Sequence, residues 1–485
     1  MDKKSPRRSL AKNALLSGGQ KLISIVFPLI TFPYISRVLS VEGIGEISYI
    51  ESIVSYFVLV SGLGIANYAT REGARIRDDQ KQLDRFIGEM FTLNLLSTFI
   101  AYSALIVTLI LLPNLRAYSI LFLIESFSII GTTLGVNWIY AIQEDYLYIT
   151  IRTITVQFIS LVLMFLLIHQ PSDYITYASI TVFAMVGGNV FNFFHAKKYV
   201  RLSFTLQINL RKHLKPILII FASAIAVSIY VNSDMTLLGW LGSTRSVGLY
   251  SRSVKIYTII KQMIASMVIV ALPRLSSQQD KNSHKNFIRT ANKILLSLLM
   301  LVLPVGIGMV LTAKNIILII AGEKYLDATF ALAVLGVASI FAVLSSFTTY
   351  CLLLPLRFEK IQMQATYISA ALNIILNLFI IKYFEQNGAA VTTLISEIAV
   401  FFFEAVYVVH KTGYGHIFYV SKRDSSNLIF ASISVILIAI FLRNIFASVV
   451  IDFILTVVCC AGSYFGILKF CLLYTSPSPR DGATS

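Results

Sequence analysis

Long apolar segments are the feature that most limits what this chain can fold into. Runs of about 20 mainly apolar residues, enough to cross a bilayer as helix, recur along the chain. Hydrophobic residues make up 56% of the 485 residues and charged residues only 13%, whereas a soluble domain has about 25% charged residues because its surface faces water. The composition therefore predicts an all-α membrane protein whose helices satisfy their own backbone hydrogen bonds in lipid.

Charge, proline and glycine positions divide the apolar sequence into about 14 predicted transmembrane helices. They are residues 14–39, 45–69, 86–112, 117–140, 146–168, 173–194, 216–240, 248–272, 294–320, 328–355, 361–384, 388–410, 428–446 and 448–470. The basic segment before the first helix has no small-residue cleavage site after it, so we interpret this helix as retained. Most Lys and Arg residues fall in loops on one side, which predicts a multi-pass protein with both termini in the cytoplasm.

Two glycine segments, VLSVEGIGEISY and WLGSTRSVGLYS, share the same outline. A single shift along the chain places Gly45 on Gly248 and Ser48 on Ser251, and it superposes the first and seventh predicted helices. Neither segment is a nucleotide loop, because no strand precedes it and a membrane helix follows. We expect the glycines to let the backbone turn sharply between two helices.

The repeat predicts how the chain is divided, because parallel repeats are common in transporters. We expect an N-terminal six-helix lobe at residues 1–205 and a C-terminal six-helix lobe at 206–415. Two additional transmembrane helices would follow at 416–470. The Ser- and Pro-rich end, residues 471–485, is interpreted as a non-native tail and is excluded from the fold.

Cations within the predicted helices indicate an anionic ligand. A charge at bilayer depth costs about 3 kcal/mol, so it should face the bundle interior or a water-filled cavity. A cavity with such cations suits phosphate; the candidates are Lys21, Arg37, Arg152, Arg252 and Lys255. For the first three, snorkelling of the side chain to the membrane interface stays open as an alternative.

Uncharged polar residues and carboxylates recur at helical spacing in the same segments. Gln262 and Asn373 lie in polar stripes that predict contacts with the uncharged part of a substrate. Buried carboxylates bind protons or cations in ion-coupled transporters; the candidates for ion coupling are Glu51, Asp234, Glu397 and Glu404.

Other functional classes lack their motifs in this sequence. No catalytic constellation is found, and the four cysteines have no metal-ligand spacing, so we predict no enzyme, no cofactor and no metal site. The six histidines lie near helix ends or in loops, where we expect them to be exposed. No basic domain lies outside the apolar segments, which excludes nucleic acid as a partner.

Two segments, PYISRVLSVEGIGEISYIESIVSYF and SDMTLLGWLGSTRSVGLYSRSVKI, resemble bacterial polysaccharide flippases of the O-antigen (Wzx) type. The likeness extends to about residue 470. It implies the fold of the MOP superfamily, shared with lipid II flippases and MATE exporters, in which two six-helix lobes enclose a central cavity.

The resemblance also implies a function in the bacterial inner membrane. The substrate would be an oligosaccharide linked to undecaprenyl diphosphate, carried by alternating access to the periplasmic leaflet. The diphosphate would bind among the five cations and the sugars near Gln262 and Asn373, with proton or sodium coupling. Membrane lipids, a polysaccharide polymerase and other assembly proteins would be its partners.

Two other functions stay open. A MATE-like antiporter of drugs or other cations would have a cavity rich in carboxylates and aromatic residues. A membrane polysaccharide polymerase or ligase would need a large loop on the outer face, and every predicted outer loop is short.

Overall fold

The fold was analysed in a computed structural model of the full chain. The structure describes residues 18–19, 27–28, 30–205, 207–269, 271–280, 284–443, 445 and 448–473. The regular elements in these residues are helices, with no strand among them, so the prediction of an all-α protein is confirmed. The chain forms two compact units, Met1–Gly248 and Leu249–Ser485.

The first unit is a bundle of helices around α1. Residues 30–38 are helical and precede it. The bounds are α1 Val41–Gly62, α2 Ile65–Ile76, α3 Gln80–Leu111, α4 Ser119–Gly135, α5 Asn137–Ile142, α6 Tyr146–Leu167, α7 Tyr174–Ala196 and α8 Leu210–Leu241. Helix α1 packs against α3, α4 and α8, and α4 also packs against α7. A short 3₁₀ turn, Pro113–Tyr118, connects α3 to α4.

The second unit has two helix groups that share α11. Its helices are α9 Thr244–Ile269, whose first turn belongs to the first unit, α10 Leu272–Asp280, α11 His284–Ile320, α12 Thr329–Phe347, α13 Glu359–Lys411, α14 Lys422–Leu442 and α15 Val449–Leu473. Helix α12 packs against both α11 and α13, while α14 and α15 pair with each other and contact α11. A π-helical segment, Thr348–Leu353, follows α12 directly.

The transmembrane helices follow the predicted segments closely. Twelve helical segments in the described residues are long and apolar enough to cross a membrane. The first predicted helix, 14–39, lies largely outside the described residues, as do residues 474–485 of the predicted tail. Segments 361–384 and 388–410 both lie in α13, whose 53 residues include a break at Glu385 (φ 44°, ψ −125°). A straight helix of that length would span about 80 Å, far more than the bilayer core, so the count of 14 stays a prediction.

The outer surfaces of both units carry large apolar side chains. Phe99 of α3 is 72% exposed, Phe379 of α13 is 70% exposed and Phe441 of α14 is 76% exposed. Water would penalise such surfaces in proportion to their area, whereas lipid does not. These faces therefore belong in the hydrocarbon, as the composition predicts.

Each paired glycine segment contains a turn between two helices, at residues 39–40 and 242–243, but Gly45 and Gly248 do not form these turns, so the role expected for them is wrong. Gly45 lies inside α1 and Gly248 inside α9, and the turn before α1 is capped by Ser40, whose hydroxyl accepts from the Gly43 amide at 3.1 Å. The glycines instead allow the two helix starts to touch. A Cβ on Gly45 would lie 1.7 Å from the Thr244 carbonyl oxygen, and one on Gly248 would lie 2.1 Å from the Val41 carbonyl oxygen.

This reciprocal contact predicts a marked sensitivity to a single methyl group. Gly45→Ala or Gly248→Ala should lower the free energy of unfolding by about 1–3 kcal/mol, because the backbone it meets must shift. Gly62→Ala is the matched control in α1, since its Cβ would find only an ordinary contact at 3.5 Å. Thermal unfolding of the purified variants in detergent measures the difference. Equal stability of all three variants would contradict the contact.

Candidate functional site

The predicted site residues fall in both units. Arg37, Glu51, Arg152 and Asp234 belong to the first unit. The second unit contains Arg252, Lys255, Gln262, Asn373, Glu397 and Glu404. Lys21 lies outside the described residues. The polar residues therefore form several separate local groups, each of which has its own geometry.

In the first unit, the polar stripe of α1 faces α8. The hydroxyl oxygens of Ser52 and Thr236 lie 2.9 Å apart, and Thr236 donates to the Tyr56 hydroxyl at 3.4 Å. Asp234 precedes Thr236 on α8 and is 7% exposed, whereas Glu51 beside Ser52 is exposed. The two residues predicted for ion coupling in this unit thus differ in burial, and each lies within two positions of the Ser52–Thr236 contact on its own helix.

Arg152 packs into the bundle against α7. Its Nη1 donates to the Asn189 side-chain oxygen at 3.3 Å and to the Gly188 carbonyl at 3.5 Å. Gly188 gives it room, because a Cβ there would lie 2.9 Å from the Arg152 Cδ. The Nε is buried with no hydrogen-bond partner in the described part of the chain. The Arg152 Nε is therefore a hydrogen-bond donor that a ligand could use. Arg37, by contrast, is exposed at the surface.

The three predicted residues of α9 differ in their surroundings. Arg252 is 6% exposed, and its guanidinium carbon lies 5.9 Å from the centre of the Tyr325 ring, in the 3₁₀ turn Glu323–Ala328. Lys255 and Gln262 are exposed on the same helix. Arg252 thus has a packing role that Lys255 lacks, although both are cations of one predicted stripe.

Glu397 of α13 is held by a cation that sequence reasoning missed. Lys261 Nζ lies 2.6 Å from Glu397 Oε1, and the Tyr257 hydroxyl donates to the same oxygen at 2.6 Å. The carboxylate is 4% exposed and the lysine 28% exposed. The only sequence signal for this pair is a lysine in the apolar run of α9, next to Gln262 of the predicted polar stripe.

Asn373 belongs to a fully buried polar ladder in α13. Asn377 donates its side-chain amide to the Asn373 side-chain oxygen at 3.0 Å, and Thr392 donates to the Asn377 oxygen at 2.5 Å. These residues lie on either side of the break at Glu385, so the ladder joins the two halves of α13. In the described structure, the Asn373 oxygen thus accepts a hydrogen bond from a neighbouring side chain.

Glu404 lies further along α13 and meets the π-helical segment Thr348–Leu353. Thr349 donates to Oε1 at 2.9 Å, and the Thr348 hydroxyl lies 2.5 Å from Oε2. The carboxyl is 1% exposed. Neither threonine was predicted, because two adjacent hydroxyls in an apolar helix look like ordinary helix-packing residues.

A buried histidine contradicts the expectation that histidines are exposed. His213 of α8 is 2% exposed; its Nε2 lies 2.9 Å from Glu89 Oε2, and its Nδ1 lies 2.8 Å from the Tyr68 hydroxyl. Arg85 donates to the other oxygen of Glu89 at 3.2 Å. The group ties the start of α8 to α2 and α3. Its partners come from distant segments, so the sequence alone gives no sign of it.

No group of three or more His, Cys, Asp or Glu side chains is positioned to hold a metal ion within the described ranges. The hydroxyl, amide and carboxyl groups above can exchange protons and hydrogen bonds, and the guanidinium and ammonium groups can bind anions.

The fold resembles those of two solved membrane transporters. A lipid II flippase, MurJ, in an inward closed conformation matches with a TM-score of 0.71 and 15% identity, over 94% of this chain and 98% of the other. An inward-facing multidrug resistance MATE family transporter of the MOP superfamily matches with a TM-score of 0.59 and 13% identity, over 80% and 94%. These likenesses establish the fold of a multi-pass membrane protein.

The sequence comparisons give the family. Residues 10–279 match the polysaccharide biosynthesis protein family, and the chain belongs to it. A protein of Escherichia coli (strain K12) named "Putative O-antigen transporter" is 22% identical over 82% of this chain and 95% of its own length. A protein of Shigella dysenteriae with the same name is 23% identical over 81% and 98%. The resemblance inferred from the two glycine segments is confirmed.

We expect the Lys261–Glu397 ion pair to stabilise the folded protein. Lys261→Met leaves a buried carboxylate without its cation and should lower the free energy of unfolding by about 3 kcal/mol, the lower end for buried pairs because Lys261 keeps part of its exposure. The double variant Lys261→Met/Glu397→Gln should recover part of this loss.

Thermal unfolding of the purified variants provides the measurement. Lys293→Met, which removes an exposed lysine of α11, is the matched control and should change little. A double variant less stable than Lys261→Met alone would contradict the pairing.

Proposed function

We propose that this protein is a flippase for a surface polysaccharide repeat unit, such as O-antigen, carried on undecaprenyl diphosphate. It would move the lipid-linked oligosaccharide from the cytoplasmic to the periplasmic leaflet of the bacterial inner membrane, with both termini in the cytoplasm. Membership of the polysaccharide biosynthesis protein family carries the proposal, because the related O-antigen transporters align over nearly their whole length. The likeness to a lipid II flippase supports it.

Cations within the membrane helices support an anionic substrate. Arg152 keeps a buried Nε that makes no hydrogen bond in the described residues, and a diphosphate oxygen would satisfy it. Lys255 is exposed on α9. The proposed diphosphate ligands are Lys21, Arg37, Arg152, Arg252 and Lys255, and the proposed sugar contacts are Gln262 and Asn373.

Coupling to a proton or sodium gradient is part of the proposal. Glu51, Asp234, Glu397 and Glu404 are the candidate coupling groups, since carboxyl groups within membrane helices mark ion pathways. A polysaccharide polymerase and other assembly proteins would receive the product in the periplasmic leaflet.

An exporter of cationic compounds is the second candidate. The fold likeness to a MATE family transporter and the buried carboxyls Glu397 and Glu404 favour it. Increased drug sensitivity of a deletion strain, with unchanged surface polysaccharide, would support the exporter and contradict the flippase.

Deletion of the gene tests the flippase directly. The deletion strain should lose surface polysaccharide and accumulate lipid-linked repeat units in the inner leaflet of the cytoplasmic membrane. Extraction of undecaprenyl-linked intermediates and accessibility of their sugars to periplasmic enzymes measure both effects. Unchanged polysaccharide and unchanged intermediates would refute the proposal.

Point variants test the anion site in the complemented strain. Arg152→Ala, Arg252→Ala and Lys255→Ala should each reduce transport roughly ten- to hundredfold, the loss of one charge-assisted hydrogen bond, at equal membrane abundance. Lys360→Ala, at an exposed position near the start of α13, is the matched control and should complement fully. Full complementation by Arg152→Ala and Lys255→Ala would remove them from the substrate path.

A further inference from the structure

Glu404 is a buried carboxyl group that forms no ion pair within the part of the chain that the structure describes. It is 1% exposed, and its hydrogen-bond partners Thr348, Thr349 and Ser345 carry no charge. Among the described residues, the charged side chain that acts on it is Glu397, which is also acidic. An ionised carboxylate in this position would have neither water nor a counter-charge, a condition that proteins avoid by taking up a proton.

The carboxyl group is surrounded by a local distortion of the helix that follows α12. Adjacent residues in an α-helix do not face the same neighbour, yet both Thr348 and Thr349 reach Glu404. They begin the π-helical segment Thr348–Leu353, in which the Leu354 amide donates to the Thr349 carbonyl at 3.0 Å, five residues back. Such π turns are rare and frequently occur at functional sites. The distortion therefore presents two hydroxyls to one carboxyl.

The Thr348 hydroxyl can either donate a hydrogen bond to Glu404 or accept one from a protonated Glu404. The single hydroxyl hydrogen of Thr348 has three acceptors within reach, the Ser345 carbonyl at 2.8 Å, the Leu344 carbonyl at 3.3 Å and Glu404 Oε2 at 2.5 Å. If Thr348 donates to Ser345, the contact with Glu404 is a hydrogen bond only when Oε2 carries a proton and donates it to the Thr348 oxygen. Thr349 still donates to Oε1. Every group is then satisfied and no charge remains.

We propose that Glu404 is a proton-binding site in which Thr348 acts as a two-position switch. With the proton bound, Glu404 donates to Thr348 and Thr348 donates to the Ser345 carbonyl. When the proton leaves, the Thr348 hydrogen turns to the carboxylate, which keeps two hydrogen bonds. Both states are hydrogen-bonded, so the proton can be exchanged reversibly; only its use in transport rests on the proposed function.

Glu397 differs from Glu404 although both lie on α13. Glu397 forms an ion pair with Lys261 and accepts a hydrogen bond from Tyr257, so the loss of its charge would remove the ion pair of Lys261. The other titratable side chains of the π segment are the fully buried Cys351 thiol and the half-buried Tyr350 phenol. Glu404, rather than Glu397, is therefore the proposed proton-binding group of the second unit.

Infrared spectroscopy of the purified protein in lipid nanodiscs, without substrate, tests the proton site. The wild-type spectrum at neutral pH should contain the C=O stretch of a protonated carboxyl that Glu404→Gln lacks. Glu397→Gln, the matched control on the same helix, should retain it. Thr348→Val removes the acceptor and should shift the band to higher frequency, which a purely structural role of Glu404 would not produce.

The outcomes of this experiment are distinct. A wild-type minus Glu404→Gln spectrum without a protonated-carboxyl band overturns the proposal, because Glu404 is then ionised. If Glu404→Gln does not fold, Thr348→Val and a pH titration of the wild type labelled with ¹³C-glutamate replace it. A Thr348→Val spectrum with the band at its wild-type frequency would equally overturn the switch.

Transport in proteoliposomes tests the use of the proton separately. A proton gradient should stimulate wild-type flipping of a lipid-linked oligosaccharide, and in Glu404→Gln the ratio of rates with and without the gradient should fall to one. An unchanged ratio in Glu404→Gln, or stimulation of the wild type by sodium alone, would overturn the coupling role. Absence of flipping by the wild type would instead refute the proposed function and leave the infrared result standing.

Discussion

The structure depends on the neutralisation of charge away from water. A carboxylate or ammonium group within a membrane helix has no bulk solvent to stabilise it, so the fold must supply a counter-charge, hydrogen bonds or a proton. Three acidic residues are stabilised in three different ways. Glu89 is held by His213 and Arg85, Glu397 by Lys261 and Tyr257, and Glu404 by two threonines. Each set of interactions connects helices that are distant in sequence, so the polar groups also fix the packing.

Close backbone contact is the second constraint, and glycine satisfies it. In lipid the helices gain little from burying apolar surface, so packing at short range replaces the hydrophobic effect between them. The starts of α1 and α9 approach until the glycine of each helix meets a backbone carbonyl of the other. The half-exposed ion pair between Glu42 and Arg245, at 3.1 Å, accompanies this contact but adds little, since both side chains face solvent screening.

The sequence predicts the helices and the family well but the partners poorly. Apolar length and loop charge are properties of single segments, so α3, α6 and α7 appear close to their predicted bounds. Lys261 and Thr348 were missed because their importance comes from Glu397 and Glu404, more than 50 residues away in each case. The role of Gly45 and Gly248 was misjudged for the same reason, because a turn and a close helix contact both select glycine. The lobe boundary at residue 205 and the site assignments stay predictions.

Glu397 and Glu404 differ in how well each could bind and release a proton. A coupling group must change its charge without leaving another charge unpaired, because a lone buried ion is costly in either state. Glu397 meets this condition less well than Glu404, since its neutral form would leave the partly buried Lys261 without its ion pair. Glu404 meets it, because Thr348 can turn its hydrogen to the carboxylate or to the Ser345 carbonyl. The two carboxyls lie seven residues apart on one helix, about 10 Å at the usual rise, and both are buried. The hydrogen-bond partners, rather than depth in the membrane, therefore determine which of them is better suited to exchange a proton.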